Sequence, residues 1–147
     1  MTKKIIAISG GFDPLHIGHI ELINRSKKIG GKLVVILNND NWLIAKKGFA
    51  FMPEKERQRI LLAIKSVDEV LITKHKPCPK DMSVCAELKK LKPHFFANGG
   101  DRKADNIPEY QLCDKLGIKM VFNLGNKIQS SSELVNKALG IKSKSLN

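Results

Sequence analysis

The chain has 147 residues, 42% of them hydrophobic and 27% charged, with a formal net charge of +12 at pH 7. That length suits one domain with a substantial core, and no apolar run reaches the ~20 residues needed to span a membrane as a helix. The three cysteines (Cys78, Cys85, Cys113) are odd in number and lack CxxC spacing, which argues against a disulfide framework or zinc knuckle and for a reducing, cytoplasmic setting.

The chain opens on "MTKKIIAIS", in which Lys4–Ser9 is expected to form a first strand rather than a signal peptide. Residues 10–19, "GGFDPLHIGH", then turn into a helix expected over Gly18–Ile29, with Ile20 and Ile23 on one face and Gly30-Gly31 as its stop. A second strand, Lys32–Leu37, leads into a loop over 38–52. The next helix, Pro53–Ser66, starts on a proline and the acidic residues Glu54 and Glu56, and carries Ile60, Leu61 and Ile64 at helical spacing. Strand Glu69–Thr73, a loop at 74–80, helix Lys80–Leu91 and strand His94–Ala97 follow. Beyond a loop at 98–107 come helix Pro108–Leu116, strand Lys119–Asn123, a loop at 124–132 and helix Ser131–Leu139, for which Ser130 or Ser131 is the N-cap. Residues 1–140 read as one domain, and 141–147 as a basic flexible tail.

Five short apolar strands alternating with five helices predict an α/β fold, a Rossmann-like five-stranded parallel sheet with helices on both faces. Ligands of such folds bind beyond the carboxyl ends of the strands, where the expected loops gather.

The first of these loops carries the most chemistry. Gly10 and Gly11 permit a tight turn, and Gly18 removes a side chain beside a helix N-terminus, where N–H groups and the helix dipole favour an anion. His16 and His19 are three residues apart, so both rings face one spot across the first turn, as donors to charge building on a phosphate. The pattern is neither a dinucleotide GxGxxG nor a Walker loop, and it lacks HExxH spacing. His75, Cys78, Cys85 and His94 have no regular ligand spacing and read as scattered helix and loop residues.

"GFDPLHIGH" resembles the HxGH signature of the nucleotidyltransferase superfamily. Three further segments, "NND…AKKG…MPEKERQRILLAIKSVDEV", "LKPHFFANGGD" and "KIQSSSELV", resemble the small cytidylyltransferase-like enzymes, the glycerol-3-phosphate cytidylyltransferases and heptose-phosphate adenylyltransferases. The resemblance implies that His16 and His19 contact the triphosphate and stabilise the transition state at its α-phosphate. Gly10, Gly11, Phe12, Asp13 and Gly18 would form the adjoining nucleotide-binding turn. Lys47, with Lys46 beside it, would neutralise acceptor and nucleotide phosphates, and Arg57 would reach the same cluster. Gly99, Gly100 and Asp101 would line the nucleoside, while Ser130, Ser131 and Ser132 would hold the β- and γ-phosphates.

It further implies a homodimer, Mg²⁺ held mainly by the nucleotide phosphates, and transfer of CMP or AMP from CTP or ATP to a phosphorylated sugar or polyol. The high positive charge suits two anionic substrates; neither a membrane nor nucleic acid is an expected partner. Gly11 stands where many relatives carry threonine or serine, and Asn98 where the heptose enzymes carry lysine. "LGNKIQSSS" lacks the arginine of the glycerol-3-phosphate enzymes' RTEGIS segment. A second reading, built on the charge and on Gly11, is a nucleotide-sensing or nucleic-acid-binding module without turnover. A third takes "HIGH" as the mark of a tRNA-related enzyme.

Overall fold

A computed structural model describes residues 3–99, 108–122, 124 and 131–140. Five strands, β1 (Ile5–Gly10), β2 (Lys32–Leu37), β3 (Glu69–Ile72), β4 (Phe95–Ala97) and β5 (Lys119–Val121), form one sheet in the order β3-β2-β1-β4-β5. Every pairing is parallel, with Ile5 opposite Lys32, Val34 opposite Glu69, Ile6 opposite Phe95 and Phe95 opposite Lys119. The expected Rossmann-like α/β architecture is therefore the one observed.

Burial follows the period of two that a strand imposes on its side chains. Ile6, Ile8, Leu33, Val35 and Leu37 point to one face, where Ile23 of α1 (Ile17–Lys28) and Leu61 of α3 (Glu54–Leu62) cover them. Ala7, Ile36 and Phe96 point to the other, against Leu88 of α4 (Cys85–Leu91) and Cys113 of α5 (Tyr110–Leu116). Leu33 through Leu37 are wholly inaccessible, at about 1.5–3 kcal/mol of stabilisation for each large apolar side chain. That is why β2 reads as an unbroken apolar run.

The sheet order reverses direction at β1, whose neighbours are β2 on one side and β4 on the other. The loops leaving β1 and β4 diverge there and open a crevice at the carboxyl edge.

Two features depart from the sequence expectation. The segment expected as a loop over 38–52 contains an additional helix, α2 (Asp40–Lys47). Its start is capped by Asn39, whose Oδ1 accepts the Trp42 N–H at 3.0 Å, and its end by Gly48 at φ +90°. Both caps are legible in "NNDNWLIAKKG"; eight residues are too few to show a clear apolar stripe. Helix α4 starts at Cys85, not Lys80, because the preceding residues are held in a turn in which Asp81 Oδ1 accepts the Ser83 N–H. A sixth helix, α6 (Ser131–Ala138), follows β5, and the expected tail over 141–147 lies outside the described residues.

Gly31, at φ +114°, joins α1 to β2 so tightly that a Cβ there would sit 1.9 Å from the Lys4 carbonyl oxygen. Gly31→Ala is expected to cost at least about 1–3 kcal/mol from backbone strain alone. A urea midpoint unchanged from wild type would show that this junction relaxes freely.

Candidate active site

The site is assembled on the turn between β1 and α1. Phe12, at φ +50°, directs its ring into the core, where it meets the edge of His19 at 4.7 Å between centroids. His16 is the N-cap of α1, and its Nδ1 accepts the Gly18 N–H at 3.1 Å. His19 reaches back, and its Nδ1 accepts the His16 N–H at 3.2 Å, so two histidines play the two parts of a capping box. The rings stack with centroids 3.7 Å apart and planes 21° from parallel.

This capping decides the tautomers. A ring nitrogen that accepts a backbone N–H carries no proton, so in each neutral ring the proton resides on Nε2. Among the described residues neither Nε2–H has an acceptor. Burial pushes the His19 imidazolium pKa down to about 3, with further lowering from His16 and Lys47. Burial and then Lys47 lower His16 as well. At neutral pH the site therefore presents two uncharged N–H donors, stacked side by side at a helix N-terminus.

Lys47, at the last turn of α2, stands half-buried beside them. Burial is the largest cause that moves its pKa below the ordinary lysine value; Lys46 and Arg57 add to the lowering, and Asp13 opposes it. A desolvated ammonium among other cations is stabilised by an arriving anion. Lys46 is exposed, with Nζ 5.6 Å from the centre of the Trp42 ring. Lys46, Lys47, Asp13, Phe49, Val135 and Asn136 line a cleft of about 270 Å³.

Asp13 is 2% exposed, and its two carboxylate oxygens accept the Phe51 N–H at 2.6 Å and the Met52 N–H at 2.8 Å. It fixes the segment between α2 and α3 against the β1–α1 turn. Gly11 is constrained from the other side: a Cβ would lie 2.9 Å from Leu43 Cδ2 of α2. Leu43 thus occupies the space that a side chain at position 11 would need.

Arg57 is placed differently from the expectation that it reaches the phosphates. Its side chain is wholly buried, with Nε donating to Met52 O at 2.9 Å and Nη1 donating to Gly11 O at 2.8 Å and to Asn38 O at 2.6 Å. Nη2 pairs with Asp40 Oδ1 at 2.6 Å, rather than with a neighbouring glutamate on its own helix. Every nitrogen of the guanidinium is committed to protein acceptors, so Arg57 acts by positioning the loops around the site. Asp40 and Asn38 were not legible as its partners, because they are 17 and 19 residues away in sequence.

Helix α6 is tied to the same turn through Ser131, whose hydroxyl donates to the Pro14 carbonyl at 2.8 Å. This brings the α6 N-terminus beside that of α1, with the Ser131 hydroxyl already engaged. Gly99 follows β4 with open space where a Cβ would stand, and Asn98 before it is buried, its N–H donating to Val121 O at 2.8 Å. Gly100, Asp101 and Ser130 lie outside the described residues, as does the Ser132 side chain. The scattered histidines have structural partners. His94 Nδ1 accepts the Ile5 N–H, while His75 Nδ1 and Nε2 lie 2.8 and 3.0 Å from Thr73 Oγ1 and Ser83 O. The His75 carbonyl in turn accepts from Asn39 and Asn41, and Trp42 Nε1 donates to Met82 O, so α2 is moored at its N-terminal turn.

Fold and site define a nucleotidyltransferase. The chain belongs to the cytidylyltransferase-like family, whose sequence model matches residues 7–133. Over 121 residues it is 33% identical to the FAD synthase of Pyrococcus abyssi, covering 81% of this chain and 78% of that protein. Over the same length it is 31% identical to the bifunctional protein HldE of Desulfatibacillum aliphaticivorans, of which it spans only 24%. Among solved structures, the lipopolysaccharide core biosynthesis protein of Thermoplasma volcanium superposes with a TM-score of 0.69 at 25% identity, over 84% of this chain and 98% of the other.

Removing the Arg57 fork leaves buried carbonyls without donors, so Arg57→Ala is expected to lose about 3–5 kcal/mol of stability, read from the urea unfolding midpoint. A loss below about 1 kcal/mol would mean that water replaces the fork. For His19, the folded-state value lies below the ordinary 6.5, so the unfolded chain binds the extra proton. Its contribution is complete above about pH 6.5 and is lost as pH falls toward 3. Wild type should therefore weaken more steeply than His19→Gln between pH 7 and pH 4; parallel curves would contradict a neutral buried ring.

Proposed function

We propose that the protein transfers a nucleoside monophosphate from a nucleoside triphosphate to a phosphorylated small molecule, releasing pyrophosphate. The observation that carries this reading is the pair of stacked histidines, both capped at Nδ1 and both presenting Nε2–H, beside the half-buried Lys47. An oxygen of the acceptor phosphate attacks the α-phosphorus as the bond to the pyrophosphate oxygen breaks. The nucleophile is already an anion, so no side chain has to remove a proton. The residues hold two anions in line and neutralise the charge that builds on the α-phosphate oxygens.

Neutral donors suit this task, because they bind the developing charge without repelling each other across a 3.7 Å stack. Lys47 supplies the fixed positive charge, and Lys46 extends it toward the rim of the cleft. Among the described residues no three His, Cys, Asp or Glu side chains gather to hold a metal, and the Asp13 and Asp40 carboxylates are engaged by Phe51, Met52 and Arg57. This donor set fits Mg²⁺ that arrives on the triphosphate and is held by its oxygens, where it would offset charge on the leaving pyrophosphate.

The relatives support a choice of donor and a range of acceptors. An FAD synthase joins an adenylyl group to flavin mononucleotide, and HldE carries a heptose-1-phosphate adenylyltransferase domain. Both use ATP, which favours ATP over CTP as the donor here. Substituting His16 or His19 by alanine is expected to lower turnover at least about a hundredfold, the scale of a lost oxyanion donor, with the far-UV circular dichroism unchanged. Pyrophosphate release from four nucleoside triphosphates with Mg²⁺, across flavin, sugar and polyol phosphates, is the direct assay. Silence across that panel, with retained nucleotide binding, would favour the sensing module instead.

A further inference from the structure

The cleft beside Lys47 has a composition that selects among phosphorylated acceptors. Its hydrogen-bonding capacity is narrower than its lining suggests. Both Asp13 oxygens are taken by the Phe51 and Met52 N–H groups, which leaves two ammonium groups and the Asn136 carboxamide. The remaining walls, Phe49 and Val135, are apolar. A body rich in hydroxyls is recognised by a set of fixed donors and acceptors matched to it, and unmatched ones cost affinity. The described residues of this cleft supply cations and apolar surface in its place.

Phe49 lines the cleft, and Phe51, whose N–H is bound by the cleft residue Asp13, carries a second exposed ring beside it. Phe49 is 41% exposed and Phe51 56% exposed, unusual for rings of this size. Phe51 is one of the two residues whose N–H the Asp13 carboxylate grips, and Phe49 lies two residues before it, so the segment that bears them is anchored. An exposed aromatic pair on an anchored segment, next to a cationic cleft, matches a ligand with a phosphate at one end and a flat apolar body at the other. The topology gives such a ligand its place. Gly99 leaves the sheet on the β4 side of β1, whereas α2, with Lys46, Lys47 and the following Phe49, leaves on the β2 side. Nucleoside and acceptor then approach His16 and His19 from opposite sides.

We propose that Phe49 and Phe51 are specificity-determining residues that hold a planar, aromatic body on the acceptor phosphate, and so select against sugar and polyol phosphates. This rests on the nucleotidyl-transfer reading above. It is tested with the full chain, ATP and Mg²⁺, using flavin mononucleotide as the planar probe and glycerol 3-phosphate and a hexose 1-phosphate as hydroxylated ones. The expected result is a kcat/KM for the planar probe at least about a hundredfold above either other acceptor. Phe49→Ala and Phe51→Ala should each raise its KM about tenfold while changing the KM for ATP less than twofold, and Phe49→Tyr should restore it.

Equilibrium dialysis of flavin mononucleotide reads the same contact without turnover. Binding that is weakened about tenfold in both alanine variants supports the aromatic site even if no pyrophosphate forms, in which case only the transfer reading fails. Efficient use of a hydroxylated acceptor with both alanine variants behaving as wild type overturns the inference and leaves the transfer reading intact. A change in sedimentation of those variants at unaltered acceptor KM also overturns it, by assigning the rings to contact with a second copy of the chain.

Discussion

The buried guanidinium of Arg57 is the interaction on which the site depends. Its four hydrogen bonds join the turn after β1, the end of β2, the first turn of α2 and the segment that precedes α3. A planar fork of fixed donors suits this role, because it satisfies several carbonyls at once in a defined geometry. Asp13 works alongside it, gripping two backbone N–H groups of the segment that returns from α2. The mutual position of His16, His19 and Lys47 follows from these two residues, one a buried cation holding carbonyls and the other a buried anion holding amides.

Charge is distributed with the same economy. The two histidines are kept neutral by burial and by Lys47, with His16 also acting on His19, and Lys47 is made less comfortable as a cation by burial and by its neighbours. All three shifts point the same way, toward a site whose electrostatics improve when phosphate enters. Exposed lysines could supply positive charge, but they would be screened by water and salt. Partial burial makes the same charges count for more on a bound anion.

Much of the fold was legible because the central strands β1 and β2 are short apolar runs buried on both faces, and such runs leave a mark in any sequence. Helix α2 was the exception. Its Asn39 cap and Gly48 stop are local signals, but its eight residues bury only Leu43 fully and are held mainly by contacts to residues 75 and 82. Such long-range moorings leave no periodicity to read. Arg57 illustrates the same limit within the site. The resemblance implied a reach toward phosphate, whereas its guanidinium holds three carbonyls and the Asp40 carboxylate.

What the sequence determined by itself was the order of the strands and of every helix but α2, the glycine- and histidine-bearing turn after β1 and the residue types available to it, since these depend on local spacing and on apolar runs. Only the tertiary structure decided which atoms of those residues are offered. The Nδ1 atoms of His16 and His19 are consumed by backbone amides, and Arg57 and Asp13 are consumed by carbonyls and amides from other loops. A hydrogen bond is directional and uses up the group that makes it. Function at this site is therefore set by the donors left over once the loops have been tied together.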